Sequence, residues 1–191
     1  MRATKLNLGC GSRKRDGYLN VDVSEECAPD QVVDLESLPW PFEDDSADEI
    51  LMSHVLEHLG ADSRTFLGIV KELYRVCRHD AVVHVIVPHP RHDDFLIDPT
   101  HVRPILPETF QLFSKARNVA WRKKGAANTP LALILDVDFE IARVNYTIDE
   151  PWLTLLGSGE LDRDGLELAI RQHFNVVKQV EVDLKVIKSE G

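Results

Sequence analysis

Apolar residues in the first half of the chain form short runs, most of which end in a glycine or a carboxylate. Lys5–Gly9, Tyr18–Val23 and Gln31–Leu35 predict three β-strands, and Asp48–Ser53 predicts a fourth. Ala81–Val87 predicts a fifth strand and is apolar except for one histidine. Nearly continuous apolar strands are typical of a parallel sheet that is covered on both faces, so we expect that environment for the fifth strand.

The segment between the fourth and fifth strands has the periodicity of an amphipathic helix. Its apolar residues recur at helical spacing over Asp62–Arg78, which predicts one broad apolar face. Asp62 or Ser63 can cap the first turn by accepting hydrogen bonds from free backbone amides. We therefore expect this helix to pack on the sheet and assign it no chemistry.

The last third of the chain alternates between apolar and polar positions. This pattern predicts the last two strands within Leu131–Tyr146 and Phe174–Ile187. A helical pattern over Leu166–His173 separates them. We expect the two strands to pair antiparallel as a long hairpin around a helical insert at 148–173.

Length and composition indicate one globular domain over residues 1–191. The chain is 43% hydrophobic and 28% charged, with a net charge of −10. This acidity argues against wrapping bulk nucleic acid, which requires a basic surface. No apolar run approaches the roughly 20 residues of a membrane span. The three cysteines lack metal or disulfide spacing, which favours a reducing compartment, so we expect a cytoplasmic location.

A glycine loop joins the first two strands. Gly9 and Gly11 allow a sharp turn and close approach of a ligand, and Asp22 ends the second strand. The third glycine of a dinucleotide fingerprint is absent, and the connection is too short for a helical crossover. A second carboxylate, Asp34, ends the third strand. Two strand-end carboxylates and one glycine loop suit an adenosine ligand without a pyrophosphate, and S-adenosylmethionine is the obvious candidate.

The order and spacing of these features resemble the class I S-adenosylmethionine-dependent methyltransferases, especially a small bacterial branch with a shortened first helix. The resemblance implies an α/β, Rossmann-like fold with a seven-stranded, mostly parallel sheet and an antiparallel last hairpin. It also implies that the loop after the first strand lacks its usual helical support. The matching segments are LNLGCG at 6–11, GYLNVDV at 17–23, VDLESLPWPFEDDSADEILMSHVLEHL at 33–59, KELYRVCRHDAVVHVIVPHP at 71–90 and DPTHVRPILPETFQLFS at 98–114.

Most of the cofactor-binding residues follow from this resemblance. Asp22 is expected to accept hydrogen bonds from the ribose hydroxyls. Asp34 would accept from the adenine amino group, and the Leu35 amide would contact the ring. Residues directly after the fourth strand would line the methyl-donor pocket. The predicted set is Leu8, Gly9, Cys10, Gly11, Asp22, Val23, Asp34, Leu35, Ser53 and His54.

A second pattern, H-x-x-E-H, runs from His54 to His58. In inverted zinc peptidases this pattern places two zinc ligands on one helix face, and these two histidines would share such a face. The helix would start directly after a strand and meet Gly60 almost at once, which is too short for that site. We therefore expect no metal, and one histidine facing the cofactor.

Histidines and aspartates are concentrated after the fifth strand, where ligands bind in such sheets. A metal site using His89 or His101, a solvated loop, and an acceptor site remain open. We assign 89–130 to the acceptor side, because imidazole titrates near neutrality and suits a general base. His101, supported by Asp98, is the predicted acceptor-side base or orienter, and His54 competes for that role.

Two further segments each allow two interpretations. In Leu38–Phe42 two prolines exclude regular structure, and Trp40 either packs on the core or walls the adenine pocket. The basic run Arg117–Lys124 is either a solvated surface or a group that holds an anionic acceptor or closes over the cofactor.

The predicted function is transfer of the sulfonium methyl group to an acceptor nucleophile. The acidity disfavours nucleic acid, and the single domain disfavours a large protein docking surface, which leaves a small-molecule or sugar-type acceptor. The alternatives are a catalytically degenerate S-adenosylmethionine-binding module, a zinc hydrolase using His54 and His58, and a nicotinamide oxidoreductase. The incomplete glycine fingerprint disfavours the last.

Overall fold

A single seven-stranded sheet organises residues 4–188, the part of the chain that the computed structural model describes. The sheet order is β3-β2-β1-β4-β5-β7-β6, and β1 to β5 run parallel. β7 pairs antiparallel with both β5 and β6, which confirms the predicted fold. The strands are β1 (Thr4–Leu8), β2 (Leu19–Asp22), β3 (Gln31–Val32), β4 (Ala47–Ser53), β5 (Cys77–Pro88), β6 (Phe139–Ile148) and β7 (Val177–Val186).

Seven α-helices are present in residues 4–188, and none has the length and apolar content needed to cross a membrane. Short 3₁₀ turns also form at Glu25–Cys27 and Leu56–His58. Two of the helices, α6 and α7, lie between β6 and β7. The helices are α1 (Ser63–Val76), α2 (Asp93–Leu96), α3 (Pro107–Gln111), α4 (Lys115–Lys124), α5 (Leu131–Leu135), α6 (Trp152–Ser158) and α7 (Arg163–Gln172).

The longest helix, α1, begins as the sequence predicts. The Asp62 side chain accepts hydrogen bonds from the amides of Arg64 and Thr65, at 2.9 and 3.0 Å. The helix ends earlier than predicted, because the chain enters β5 directly at Cys77 and strand pairing with β4 begins there. Its buried apolar residues are Phe66, Ile69, Val70, Leu73 and Val76.

Two predicted strands differ from the structure. The start of Leu131–Tyr146 forms helix α5, because the consecutive apolar residues LALIL pack as one helical turn before β6 begins at Phe139. The third strand pairs only over Gln31–Val32. It ends there because the Asp34 carboxylate accepts a hydrogen bond from the amide of Glu36, 2.9 Å away, and so stabilises a turn.

One face of the sheet is only partly covered, contrary to the prediction for the fifth strand. Alternate residues of β5 are buried, while the residues between them are half-buried. His84 lies on this second face, and its Nδ1 is 2.7 Å from an oxygen of Asp183, which also pairs with Arg143. The segments joining β1 to β2 and β2 to β3 contain no α-helix, so no helical layer forms there.

Trp40 packs in the core, which confirms the first of its two interpretations. The side chain is 2% exposed, and its Nε1 donates to the Leu35 carbonyl at 2.9 Å. Its backbone amide donates to Glu72 at 2.7 Å, and Glu72 also accepts from Arg75 at 2.6 Å. Glu72 thereby ties the proline-rich segment to α1. Burial acts to raise the pKa of Glu72, but these hydrogen bonds outweigh it and lower the pKa.

Glu72→Gln should reduce the free energy of unfolding by about 1.5–3 kcal/mol, the range for hydrogen bonds to a charged group. The folded-state pKa is lowered, so the stabilisation is complete above the unfolded pKa of about 4.3. It is lost as the pH falls further towards the folded-state value. Urea unfolding at several pH values should show that the difference in the free energy of unfolding between wild type and Glu72→Gln becomes smaller below about pH 4.3. Glu43→Gln, at an exposed position, serves as the control. An equal reduction of the free energy of unfolding in that variant would contradict the stabilising role of the Glu72 hydrogen bonds.

Candidate functional site

The glycine loop lies at the carboxyl end of β1, beside the turn that follows β4. Gly9 and Gly11 have φ values of +66° and +50°. A Cβ at Gly9 would lie 2.4 Å from Cγ2 of Val55, so a side chain there would collide with the turn after β4. Both the backbone conformation and this contact therefore require glycine at position 9.

Two buried asparagines support the loop where the first helix is missing. Asn7 donates from Nδ2 to the Arg13 carbonyl at 3.1 Å and to Oδ1 of Asn20 at 2.9 Å. The same Asn20 oxygen accepts from the amide of Arg15 at 2.8 Å. These hydrogen bonds fix the loop to β1 and β2. Neither asparagine was predicted to have this role, although Asn7 lies between Leu6 and Leu8 and Asn20 between Leu19 and Val21.

Asp22 is held at the end of β2 by backbone amides. Its Oδ2 accepts from the Gly11 amide at 2.7 Å, and its Oδ1 accepts from the Ser24 amide at 3.0 Å. Each carboxylate oxygen retains a second lone pair for a ligand hydroxyl. Asp34 is exposed and makes similar local contacts, with Ser37 Oγ donating at 2.9 Å. Both carboxylates are therefore preorganised.

A cavity of about 200 Å³ lies between these carboxylates and the turn after β4. Six predicted residues line it: Gly9, Asp22, Val23, Asp34, Leu35 and His54. The other four predicted residues, Leu8, Cys10, Gly11 and Ser53, do not. The lining residues that the sequence analysis did not assign to the cofactor are Val33, Val55, His58 and Leu59. A larger depression of about 610 Å³ lies near Asp44 and Lys188, at the opposite end of the sheet.

His54 has a left-handed backbone, with φ +57°. This conformation is costly for a residue with a side chain and is found preferentially in functional sites. Its Nε2 lies 3.0 Å from Oε1 of Gln179, and its Nδ1 lies 3.4 Å from Oε1 of Glu57. The Glu57 carboxylate raises the pKa of His54, although burial opposes the shift.

The prediction that His54 and His58 share a helix face is wrong. Only Leu56–His58 is helical, as one 3₁₀ turn, and His54 precedes it in a left-handed conformation. The two histidines therefore do not form the zinc-ligand pair of a long helix. The structure gives no support to a hydrolase built on that pair.

Of the histidines after β5, His89 and His92 have local structural roles. His89 accepts a hydrogen bond from the Arg91 amide at 3.2 Å, and burial lowers the pKa of its imidazole. His92 caps α2 by accepting from the Asp94 amide at 3.0 Å, and its Nε2 lies 2.9 Å from Oδ2 of Asp149. Neither belongs to the cavity lining.

His101 lies against the turn after β4, and its side chain is 9% exposed. Its Nδ1 is 2.9 Å from the carbonyl oxygen of Phe95, so Nδ1 carries the proton and donates it. Asp98 was predicted to orient this ring, but its nearest oxygen is 3.8 Å from Nε2. Asp98 instead accepts from the amide and hydroxyl of Thr100, which lowers its pKa. The Phe95 carbonyl therefore orients His101.

The segment carrying His101 is attached to Glu57. The amides of Val102 and Arg103 donate to the Glu57 carbonyl at 2.9 and 3.1 Å. The rings of His101 and His58 approach edge to face, with centroids 4.6 Å apart. Since His58 also lines the cavity, the predicted acceptor side and the predicted cofactor pocket meet at this histidine.

Comparisons with known proteins agree with this arrangement. Residues 6–85 match a protein family described as a methyltransferase domain. No curated protein matches the chain. An S-adenosylmethionine-dependent methyltransferase from Archaeoglobus fulgidus has a similar structure at 18% identity, with a TM-score of 0.61 over 96% of this chain and 86% of that one.

Two further solved structures share the fold. A methyltransferase of the same description from Methanosarcina mazei is 16% identical, with a TM-score of 0.56 over 97% of this chain and 93% of that one. The YcgJ protein from Bacillus subtilis is also 16% identical, with a TM-score of 0.56 over 98% of this chain and 93% of that one. The match over residues 6–85 is to a methyltransferase domain, in agreement with the expected enzyme class, and the solved structures share the predicted fold.

Asp22→Ala should weaken binding of S-adenosylhomocysteine by about 1.5–3 kcal/mol, because the ribose hydroxyls would lose a charged acceptor. Isothermal titration calorimetry measures the effect, and melting curves report whether the glycine loop is still folded. The exposed Asp16→Ala is the matched control. Unchanged affinity in a folded Asp22→Ala protein would show that the ribose binds elsewhere.

Proposed function

We propose that this class I S-adenosylmethionine-dependent methyltransferase transfers the sulfonium methyl group to a small-molecule or sugar-type acceptor that binds beside His101. The observation that carries the proposal is the meeting of His101 with His58, a residue of the cavity wall. An acceptor beside His101 would therefore lie next to the cofactor. The segment 89–130 is the acceptor side in this proposal.

The cofactor would occupy the cavity with its ribose on Asp22. Both Asp22 oxygens are fixed by amides and retain lone pairs for the hydroxyls. Asp34 and Leu35 would hold the adenine ring, as the family resemblance implies, and His54 would stand near the sulfur. His54 lines the same cavity, directly after the carboxyl end of β4.

His101 is suited to act on the acceptor, as a base or as an orienter. Its Nδ1 proton is held by the Phe95 carbonyl, so the lone pair is on Nε2. With a hydroxyl acceptor, the methyl–sulfur bond breaks as the oxygen–methyl bond forms, and S-adenosylhomocysteine leaves as a neutral thioether. The hydroxyl proton must then be removed, and most of the rate acceleration would come from positioning.

The surroundings of His101 favour a compact acceptor with an apolar part. Exposed apolar side chains surround this segment, and ligand pockets are mostly apolar with a few polar groups. The chain carries a net charge of −10, which disfavours a polyanionic acceptor. The three free cysteines support the proposed cytoplasmic location. The exposed apolar residues are Leu96, Ile97, Val102 and Leu106.

His101→Ala should reduce turnover by about 10²–10⁴ if the imidazole acts on the acceptor, because general-base catalysis contributes about that much. Affinity for S-adenosylhomocysteine should stay within about twofold, since His101 does not line the cavity. The measurement uses labelled S-adenosylmethionine with a panel of alcohol, phenol and sugar acceptors. His173→Ala, at an exposed histidine outside the cavity wall, is the control. A loss below about threefold would assign His101 to structure.

A thermal-shift experiment separates the alternatives to methyl transfer. S-adenosylhomocysteine should raise the melting temperature and NAD should not, because a ligand stabilises only the fold that binds it. Stabilisation without turnover of any acceptor would favour a binding module. Stabilisation by NAD would favour the oxidoreductase.

A further inference from the structure

Glu57 is completely buried, and neither of its carboxylate oxygens accepts a hydrogen bond from the residues described between 4 and 188. The nearest basic atom, Nδ1 of His54, is 3.4 Å from Oε1, which is too far for a strong hydrogen bond. Buried ionised carboxylates are normally paired or bound to a metal, because an uncompensated charge in the interior is strongly unfavourable. Apart from this distant imidazole, the carboxylate has no partner among residues 4–188, although its burial requires one.

Two imidazoles beside Glu57 are arranged to present lone pairs. The Thr100 hydroxyl donates to Asp98 at 2.6 Å, so it accepts from Nδ1 of His58 at 2.9 Å. Nδ1 of His101 donates to the Phe95 carbonyl. In both rings the free lone pair is therefore on Nε2. Hydrogen bonding of the second ring nitrogen to a carbonyl or polar oxygen is the usual arrangement of metal-binding histidines.

We propose that Glu57, His58 and His101 bind one divalent metal ion. One ligand atom from each residue lies within 4.8 Å of the other two. Metal–ligand distances of about 2.0–2.2 Å would then require only small side-chain rotations. Two imidazoles and one carboxylate favour zinc, cobalt, iron or manganese over magnesium and calcium, which prefer oxygen ligands. The sequence predicted no metal because the segment from His54 to His58 is too short for a zinc-binding helix, and the burial of Glu57, which depends on tertiary contacts, cannot be predicted from it.

Three protein ligands leave coordination positions open, as in catalytic rather than structural sites. His58 belongs to the cavity wall, so the ion would lie between the cofactor and the acceptor. This role for the ion rests on the proposed function. The open coordination position would bind the acceptor oxygen and lower the pKa of its hydroxyl. The proton would leave to water before the oxygen–methyl bond forms and the methyl–sulfur bond breaks. His101 would then act as the orienter, and the acceptor would carry an oxygen that coordinates divalent cations.

The test is a metal titration of tag-free, metal-stripped protein in the absence of S-adenosylmethionine. We expect one Zn²⁺ or Co²⁺ per chain by calorimetry, with visible Co²⁺ absorption bands, and no binding of Mg²⁺. Glu57→Gln and His101→Ala should each weaken binding at least about 100-fold, since even outer-shell residues contribute about 10–100-fold. His79→Ala, at the amino end of β5, should bind like wild type.

Thermal melting distinguishes lost ligands from lost folding. Glu57→Gln removes a buried charge without changing volume, so the metal-free variant should melt no lower than metal-free wild type. Zn²⁺ should raise the melting temperature of wild type and leave that of Glu57→Gln unchanged. Absence of one-to-one binding, or equal affinity in wild type and Glu57→Gln, would overturn the proposal. Binding of S-adenosylhomocysteine is measured in a separate titration. Its failure in wild type would count against the proposed function alone, because the metal titration contains no cofactor.

Discussion

The turn that follows β4 connects the two sides of the site. On the cofactor side, Val55 packs so closely on Gly9 that no side chain fits there. On the side proposed for the acceptor, the Glu57 carbonyl accepts hydrogen bonds from two amides of the segment that carries His101. A displacement of this turn would therefore change the glycine loop and the acceptor segment together. The left-handed backbone of His54 is the sharp bend that brings both contacts within four residues of the strand.

The missing first helix has a consequence for the glycine loop. A helix after β1 would normally support that loop through its packing on the sheet, and here hydrogen bonds of the Asn7, Asn20 and Asp22 side chains hold the loop instead. Both asparagines are buried, and buried amides rigidify a structure only when they are fully hydrogen-bonded. The partly covered sheet face results from the same absence, which explains why polar pairs such as His84 and Asp183 occur on it.

The sequence predicted the features that depend on local pattern. The first, second and fourth strands, the Asp62 cap and the Asp22 carboxylate at the end of β2 follow from periodicity and from residue chemistry, and the structure has them. The features that it mispredicted depend on tertiary context. A run such as LALIL fits a helix or a strand, and its packing decides which forms. The orientation of His101 depends on the Phe95 carbonyl, because the short α2 turn brings that backbone atom to the ring.

The electrostatics of Glu57 bear on the choice between the two proposed roles of His101. A proton on His54 could compensate only Oε1, and its other nitrogen already contacts Gln179. That pairing would leave Oε2 and the Nε2 atoms of His58 and His101 without a hydrogen-bond donor among the described residues, and one ligand atom from each of Glu57, His58 and His101 lies within 4.8 Å of the other two. A bound cation is a partner for the carboxylate and for both nitrogens at once. With the proposed ion in place, His101 would be a ligand rather than a free base, so we favour a positioning role for it in view of the burial of Glu57.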